Sequence, residues 1–138
     1  KQFVEVDLYE SKERMKLNFG HTLGHVFEID SKYKLSHGEA ISLGMLASLK
    51  LSNKYYGLDI RYFNELKEAE VLRNRIDMPI EYQYENTKIK LVEYLFNDKK
   101  SLNGKELNFI LLTSIGNPVI HKFSDDDAEE ILYCLEKL

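Results

Sequence analysis

The chain carries one cysteine, Cys134, in 138 residues, so no disulfide can form within it. That thiol falls in an amphipathic C-terminal segment and reads as a packing residue rather than a nucleophile. Reducing, cytoplasmic surroundings fit such cysteine usage best. No apolar run approaches the roughly 20 residues that span a bilayer, and no signal-peptide pattern opens the sequence, so no membrane partner is expected. Nineteen basic residues stand against 23 acidic ones, a net charge of −4 without a basic block, and a nucleic-acid role has no electrostatic footprint. Internal repeats and low-complexity segments are missing too. So is a glycine-rich strand-to-helix turn of the dinucleotide-binding kind. The sequence opens on Lys1 instead of methionine, which leads us to expect a fragment or processed product.

With 43% hydrophobic and 30% charged residues, the chain has the composition of an ordinary globular domain and the length of one. Apolar spacing predicts a mainly helical fold. Ser11 to Ile29 reads as helix, broken or tightened near Asn18 to Gly20, with Gly20 and Gly24 marking close backbone approach to a neighbour or ligand. Ser36 and Glu39 have the spacing of a capping box, which starts a second helix running to about Tyr56 and stopped by Gly57. A third helix is expected from an Asp59 cap to about Leu72, and a fourth from Asn86 or Thr87 through Ile89, Val92, Leu95, Phe96 and Lys99. Leu107 to Leu112 and Val119-Ile120, separated by a turn at Gly116-Asn117-Pro118, predict a small hairpin. Ser124 then caps a final helix whose first turn holds Asp125, Asp126 and Asp127. His121 reads as an exposed residue of the hairpin.

Three of the four histidines lie between Arg14 and Glu39, at His21, His25 and His37. His21 and His25 are four residues apart and project from one face of a helix, one above the other. Two imidazoles placed so can share a metal or divide the work of ligand and acid/base. The capping box seats His37 in the first turn of the next helix. Spacing alone leaves open whether His25 joins His21 on a metal.

The run Arg14-Met15-Lys16-Leu17-Asn18-Phe19-Gly20-His21-Thr22-Leu23-Gly24-His25, with Glu28 behind it and His37-Gly38-Glu39-Ala40 and Gly44-Met45 following, resembles the 3-dehydroquinate synthase family. Glu10 and Asp98-Lys99-Lys100 also look like that family's pattern. The likeness covers only the family's C-terminal helical part. It implies that residues 1–138 are a single metal- and substrate-binding domain of a longer enzyme, and that NAD is held mainly by an N-terminal α/β domain outside this chain. By the same resemblance His21 and His37 are ligands of a divalent metal, zinc or cobalt, with a third glutamate ligand in the N-terminal part. His25 and Glu10 become proton-transfer groups, and Arg14, Asn18 and Lys99 substrate-binding residues. Two departures are visible: Ser11-Lys12-Glu13 replaces a glycine-containing segment, and Val26-Phe27 stands where smaller or aliphatic residues are familiar.

The implied reaction turns an anionic sugar-acid phosphate, 3-deoxy-D-arabino-heptulosonate 7-phosphate, into 3-dehydroquinate and inorganic phosphate, in an enzyme expected to be a homodimer. Arg14 suits a carboxylate by its planar fork. Lys99 shares a helical stripe with Val92, Leu95 and Phe96, which aims it inward, whereas Lys100 points to solvent. Rival readings are another sugar-phosphate cyclase, an iron-dependent alcohol or glycerol dehydrogenase, or a noncatalytic helical interaction module. The chain by itself is expected neither to bind NAD nor to turn over.

Overall fold

A computed structural model of the chain describes residues 12–69, 107–135 and 138. In chain order these form α1 (Lys12–Met15), α2 (His21–Asp30), α3 (His37–Tyr56), α4 (Arg61–Glu68), a hairpin of β1 (Leu107–Ser114) and β2 (Asn117–Phe123), a 3-10 turn (Asp125–Asp127) and α5 (Ala128–Leu135). The fold is mainly helical with one small antiparallel hairpin near the C-terminus. The helix expected around Lys99, together with Glu10, lies outside the described residues. Among the described residues no helix is long and apolar enough to cross a membrane.

The first helical segment does break, at Lys16 to Gly20, where Leu17 and Asn18 donate to carbonyls three residues back, at Arg14 and Met15. Gly20 then takes φ +81, a left-handed conformation that costs glycine little, and α2 begins at His21 without a side-chain cap. The start of α3 follows its sequence signals. Ser36 Oγ accepts from the Glu39 N–H while the Glu39 carboxylate accepts from the Ser36 N–H, and Gly57 closes the helix at φ +69.

α3 is the central element. Ala40, Leu43, Leu46, Ala47, Leu49 and Leu51 are buried along it, and Leu23, Val26 and Phe27 of α2 join the same core. Each large apolar side chain withdrawn in this way contributes about 1.5–3 kcal/mol. The two helices meet backbone to backbone. A Cβ added to Gly24 would stand 2.5 Å from Ile41 Cδ1, and one on Gly20 would stand 2.6 Å from Met45 Cγ.

On its other side α3 receives the hairpin. Ser52 Oγ donates to the Ser48 carbonyl at 2.6 Å and accepts from the Leu112 N–H at 2.9 Å, which ties α3 to β1. Thr22 Oγ1 donates to the Asn108 carbonyl at 3.3 Å and brings α2 to the same strand. The strands pair from Leu107↔Phe123 to Leu112↔Pro118, with an irregularity before Ser114↔Asn117. The turn is therefore Ile115-Gly116, and Asn117 and Pro118 belong to the strand instead of the expected turn. Pro118 is tolerated because a two-stranded sheet is all edge.

Two helix ends also differ from expectation. α4 stops at Glu68, since Ala69 turns to ψ 131; Asp59 still accepts from the Arg61 N–H at 2.9 Å, one residue outside the assigned cap at Ile60. At the C-terminal helix Asp125–Asp127 tighten into a 3-10 turn, and α5 starts only at Ala128. There the Asp127 carboxylate accepts from the Ser124 N–H at 2.7 Å and from Ser124 Oγ at 2.9 Å, so aspartate does the capping and serine the donating. These bonds hold the Asp127 carboxyl below its usual range. Cys134 is buried on α5, and burial pushes its thiol up, as suits a packing residue.

His121 is not the exposed residue expected. It is half-buried, with its ring centroid 4.7 Å from Tyr55 and 4.4 Å from Phe123 and its Nδ1 2.8 Å from the Tyr56 hydroxyl. Burial holds the imidazole below its ordinary pKa. Beside it the Tyr55 hydroxyl donates to Glu130, and burial with that carboxylate raises the phenol.

Candidate metal and substrate site

The three histidines of the motif come together beside the start of α3. His21 opens α2, His25 follows one turn later on the same face, and His37 opens α3. What returns the chain to bring His37 beside α2 is a tight reversal after Asp30. Lys32 and Tyr33 both take left-handed backbone, at φ 54 and 59, and their N–H groups bond to the carbonyls of Ile29 and Glu28. For residues other than glycine that conformation costs roughly 1–2 kcal/mol each. The packing beyond it stabilises the reversal.

The imidazoles form a nearly equilateral triangle. Ring centroids are 6.1 Å apart for His21 and His25, 5.9 Å for His21 and His37, and 5.8 Å for His25 and His37. At zinc-to-nitrogen distances of about 2.0–2.1 Å, two imidazoles on one tetrahedral ion stand roughly 5 Å apart between centroids, so a small rotation of either ring closes the gap. The donor set fits a divalent transition metal.

Every Nδ1 of the triangle meets an oxygen acceptor. His21 Nδ1 is 3.4 Å from the Phe19 carbonyl, a long contact, while His25 Nδ1 is 2.8 Å and His37 Nδ1 2.9 Å from the two carboxylate oxygens of Glu28. Protonated at Nδ1, each ring keeps the lone pair on Nε2 for a ligand or a proton. The Glu28 carboxylate lies 15% exposed between two side chains that are 60% and 59% exposed. Hydrogen bonds from His25 and then His37 hold it below the usual carboxylate range.

Sequence reasoning gave Glu28 no role, although its i+3 spacing from His25 was a usable signal; its reach to His37 depends on the reversal. One ligand atom each from His25, Glu28 and His37 lies within 4.8 Å of the others, a group that does not include His21. Arg14 and Asn18 are exposed, Arg14 on α1 and Asn18 within the break before α2, rather than on one continuous helix. Glu10 and Lys99 fall outside the described residues.

A mainly helical domain that sets three imidazoles in a triangle, two of them on one carboxylate, where two helices pack closely offers a set of donors suited to a metal ion. Comparison with known proteins gives it a family. Residues 1–101 match the family model described as 3-dehydroquinate synthase C-terminal, and the chain belongs to that family. It is 39% identical over 137 residues to a 3-dehydroquinate synthase of Clostridium tetani, covering 99% of this chain and 35% of that protein. A second 3-dehydroquinate synthase, from Pyrococcus abyssi, is 39% identical over 129 residues, or 94% of this chain and 35% of the relative. The chain thus spans about a third of the length of these curated relatives. Among solved structures, 2-deoxy-scyllo-inosose synthase complexed with carbaglucose-6-phosphate, NAD+ and Co2+ shares the fold at a TM-score of 0.62 and 22% identity, over 87% of this chain and 32% of that one.

Proposed function

We propose that residues 1–138 are the C-terminal metal- and substrate-binding domain of a longer, NAD- and metal-dependent 3-dehydroquinate synthase, a cytoplasmic homodimer that eliminates phosphate from a seven-carbon sugar-acid phosphate. The observation that carries this reading is the imidazole triangle, with all three Nδ1 atoms facing acceptors, in a chain of this family. A cofactor pair of NAD and a divalent metal, zinc or cobalt, agrees with the contents of the 2-deoxy-scyllo-inosose synthase complex.

His21 and His37 would hold the metal, which when bound polarises substrate oxygens and eases ionisation of the hydroxyl to be oxidised. NAD, held outside this chain, supplies the hydride acceptor. His25 stands one turn from His21 with its Nδ1 on Glu28, so its Nε2 can take a proton and return it next to the substrate phosphate. Glu10 serves as a second proton-transfer group. Arg14 offers its planar fork to the substrate carboxylate, Asn18 a hydrogen bond, and Lys99 an ammonium to the phosphate. Together they fix an anionic substrate at both ends and keep the reacting atoms in register.

A second reading concerns the metal alone. The tight grouping of His25, Glu28 and His37 favours an ion bound by those three, with Glu28 a direct ligand.

The test is phosphate release from 3-deoxy-D-arabino-heptulosonate 7-phosphate by the full-length protein, with and without NAD and after chelation. Release that needs both cofactors is expected. Turnover that survives chelation and NAD removal, or none with both supplied, overturns the proposal.

A further inference from the structure

We infer that Glu28 is a positioning residue which sets the tautomers of two functional histidines at once. The inference rests on the reading above of His37 as a metal ligand and His25 as an acid/base group. Its two carboxylate oxygens are divided between them, Oε2 to His25 Nδ1 at 2.8 Å and Oε1 to His37 Nδ1 at 2.9 Å. A carboxylate can only accept. It therefore requires an N–H at both Nδ1 atoms and leaves both Nε2 lone pairs uncovered. Carboxylates that orient metal-bound imidazoles in this way are worth 10–100-fold in metal affinity or activity.

Here one group does this for the ligand and for the proton carrier. Glu28 also fixes the geometry between them, because it sits on α2 while His37 opens α3, and the bridge spans the reversal that joins the two helices. Its 15% exposure against about 60% for either histidine means that the carboxylate forms the floor of the site and the rings its open side.

Glu28→Gln distinguishes this role from packing. The amide has the same shape but one acceptor and one donor, so one of the two imidazoles must move its proton to Nε2 and lose the lone pair there. In the full-length protein, Co2+ titration followed by visible absorption should show Glu28→Gln and Glu28→Ala binding about 10–100-fold more weakly than wild type, with a tetrahedral cobalt spectrum still reached at saturation. With cobalt saturating, kcat should fall about tenfold or more while KM changes little, and the thermal midpoint should stay near that of wild type.

Wild-type cobalt affinity together with wild-type kcat in Glu28→Gln overturns the inference. So does a loss of cobalt binding in His25→Ala as large as that in Glu28→Gln, which would make Glu28 a ligand alongside His25. A wild-type protein that binds cobalt, shows the Glu28 dependence and yet releases no phosphate refutes the proposed reaction and leaves the role in metal binding standing. A wild-type protein that releases phosphate but binds no cobalt refutes the inference alone.

Discussion

A Cβ placed on Gly44 would lie 2.0 Å from the carbonyl oxygen of Gly20, far inside the distance that non-bonded carbon and oxygen keep. α2 and α3 touch here through their backbones, and the same contact carries His21, one residue after Gly20, toward the start of α3. Both partners are main chain, so neither can swing aside. Gly44→Ala should therefore force the helices apart at a cost of about 1–3 kcal/mol or more. A melting curve checks the stability, and weaker metal binding in the same variant checks that the separation reaches the histidines.

Metal analysis of three single variants separates the two ligand sets. His21→Ala and His37→Ala should each purify with little divalent metal from the full-length protein, whereas His25→Ala should keep it and lose turnover. Retention in His21→Ala with loss in His25→Ala would instead select the His25, Glu28 and His37 group.

Ser52 is fully buried and joins α3 to the hairpin by giving one hydrogen bond and taking another. Ser52→Ala leaves the Leu112 N–H without its acceptor. A loss of about 1–3 kcal/mol is expected, read from denaturant unfolding, with faster hydrogen exchange confined first to the Leu112 amide.

Stability should fall on the acid side of neutrality because of His121. Its folded pKa is held low by burial, so the unfolded chain takes up that proton more readily than the folded one. The contribution is complete above the unfolded value of about 6.5 and is lost as pH falls from there through the lowered folded value. His121→Gln should flatten the dependence between about pH 7 and 5. The steeper loss at lower pH should stay, since Glu28, Asp127 and Glu130 are all held below the usual carboxylate range. Thermal midpoints measured across this range decide the point.

The 138-residue chain alone should neither bind NAD nor release phosphate. Calorimetric titration with NAD and a phosphate assay on the chain test this directly. NAD-dependent phosphate release from it would refute the division of the site between two domains.

Local chemistry was enough to place much of the frame. The Ser36 and Glu39 capping box, the Gly57 stop and the His21–His25 pair each depend on residues within one or two turns, and the structure has them where spacing put them. The run from Leu107 likewise forms a strand, because a short apolar run and the turn residues that bound it act over short distances. What spacing could not supply was anything set by contacts across the chain. The turn shifted off Pro118 because strand register favoured Ile115-Gly116, and Asp127 replaced Ser124 as the capping acceptor because the first turn tightened. His121 is half-buried against tyrosines 65 and 66 residues away.

The sequence by itself determined that histidines would stand on one helical face and at the next helix start, since helix period and caps are local. Only the tertiary structure decided that they form one triangle over Glu28. That depends on a left-handed reversal at Lys32 and Tyr33 and on glycine backbones touching at Gly20 and Gly44, and neither feature is stabilised by neighbours in sequence alone.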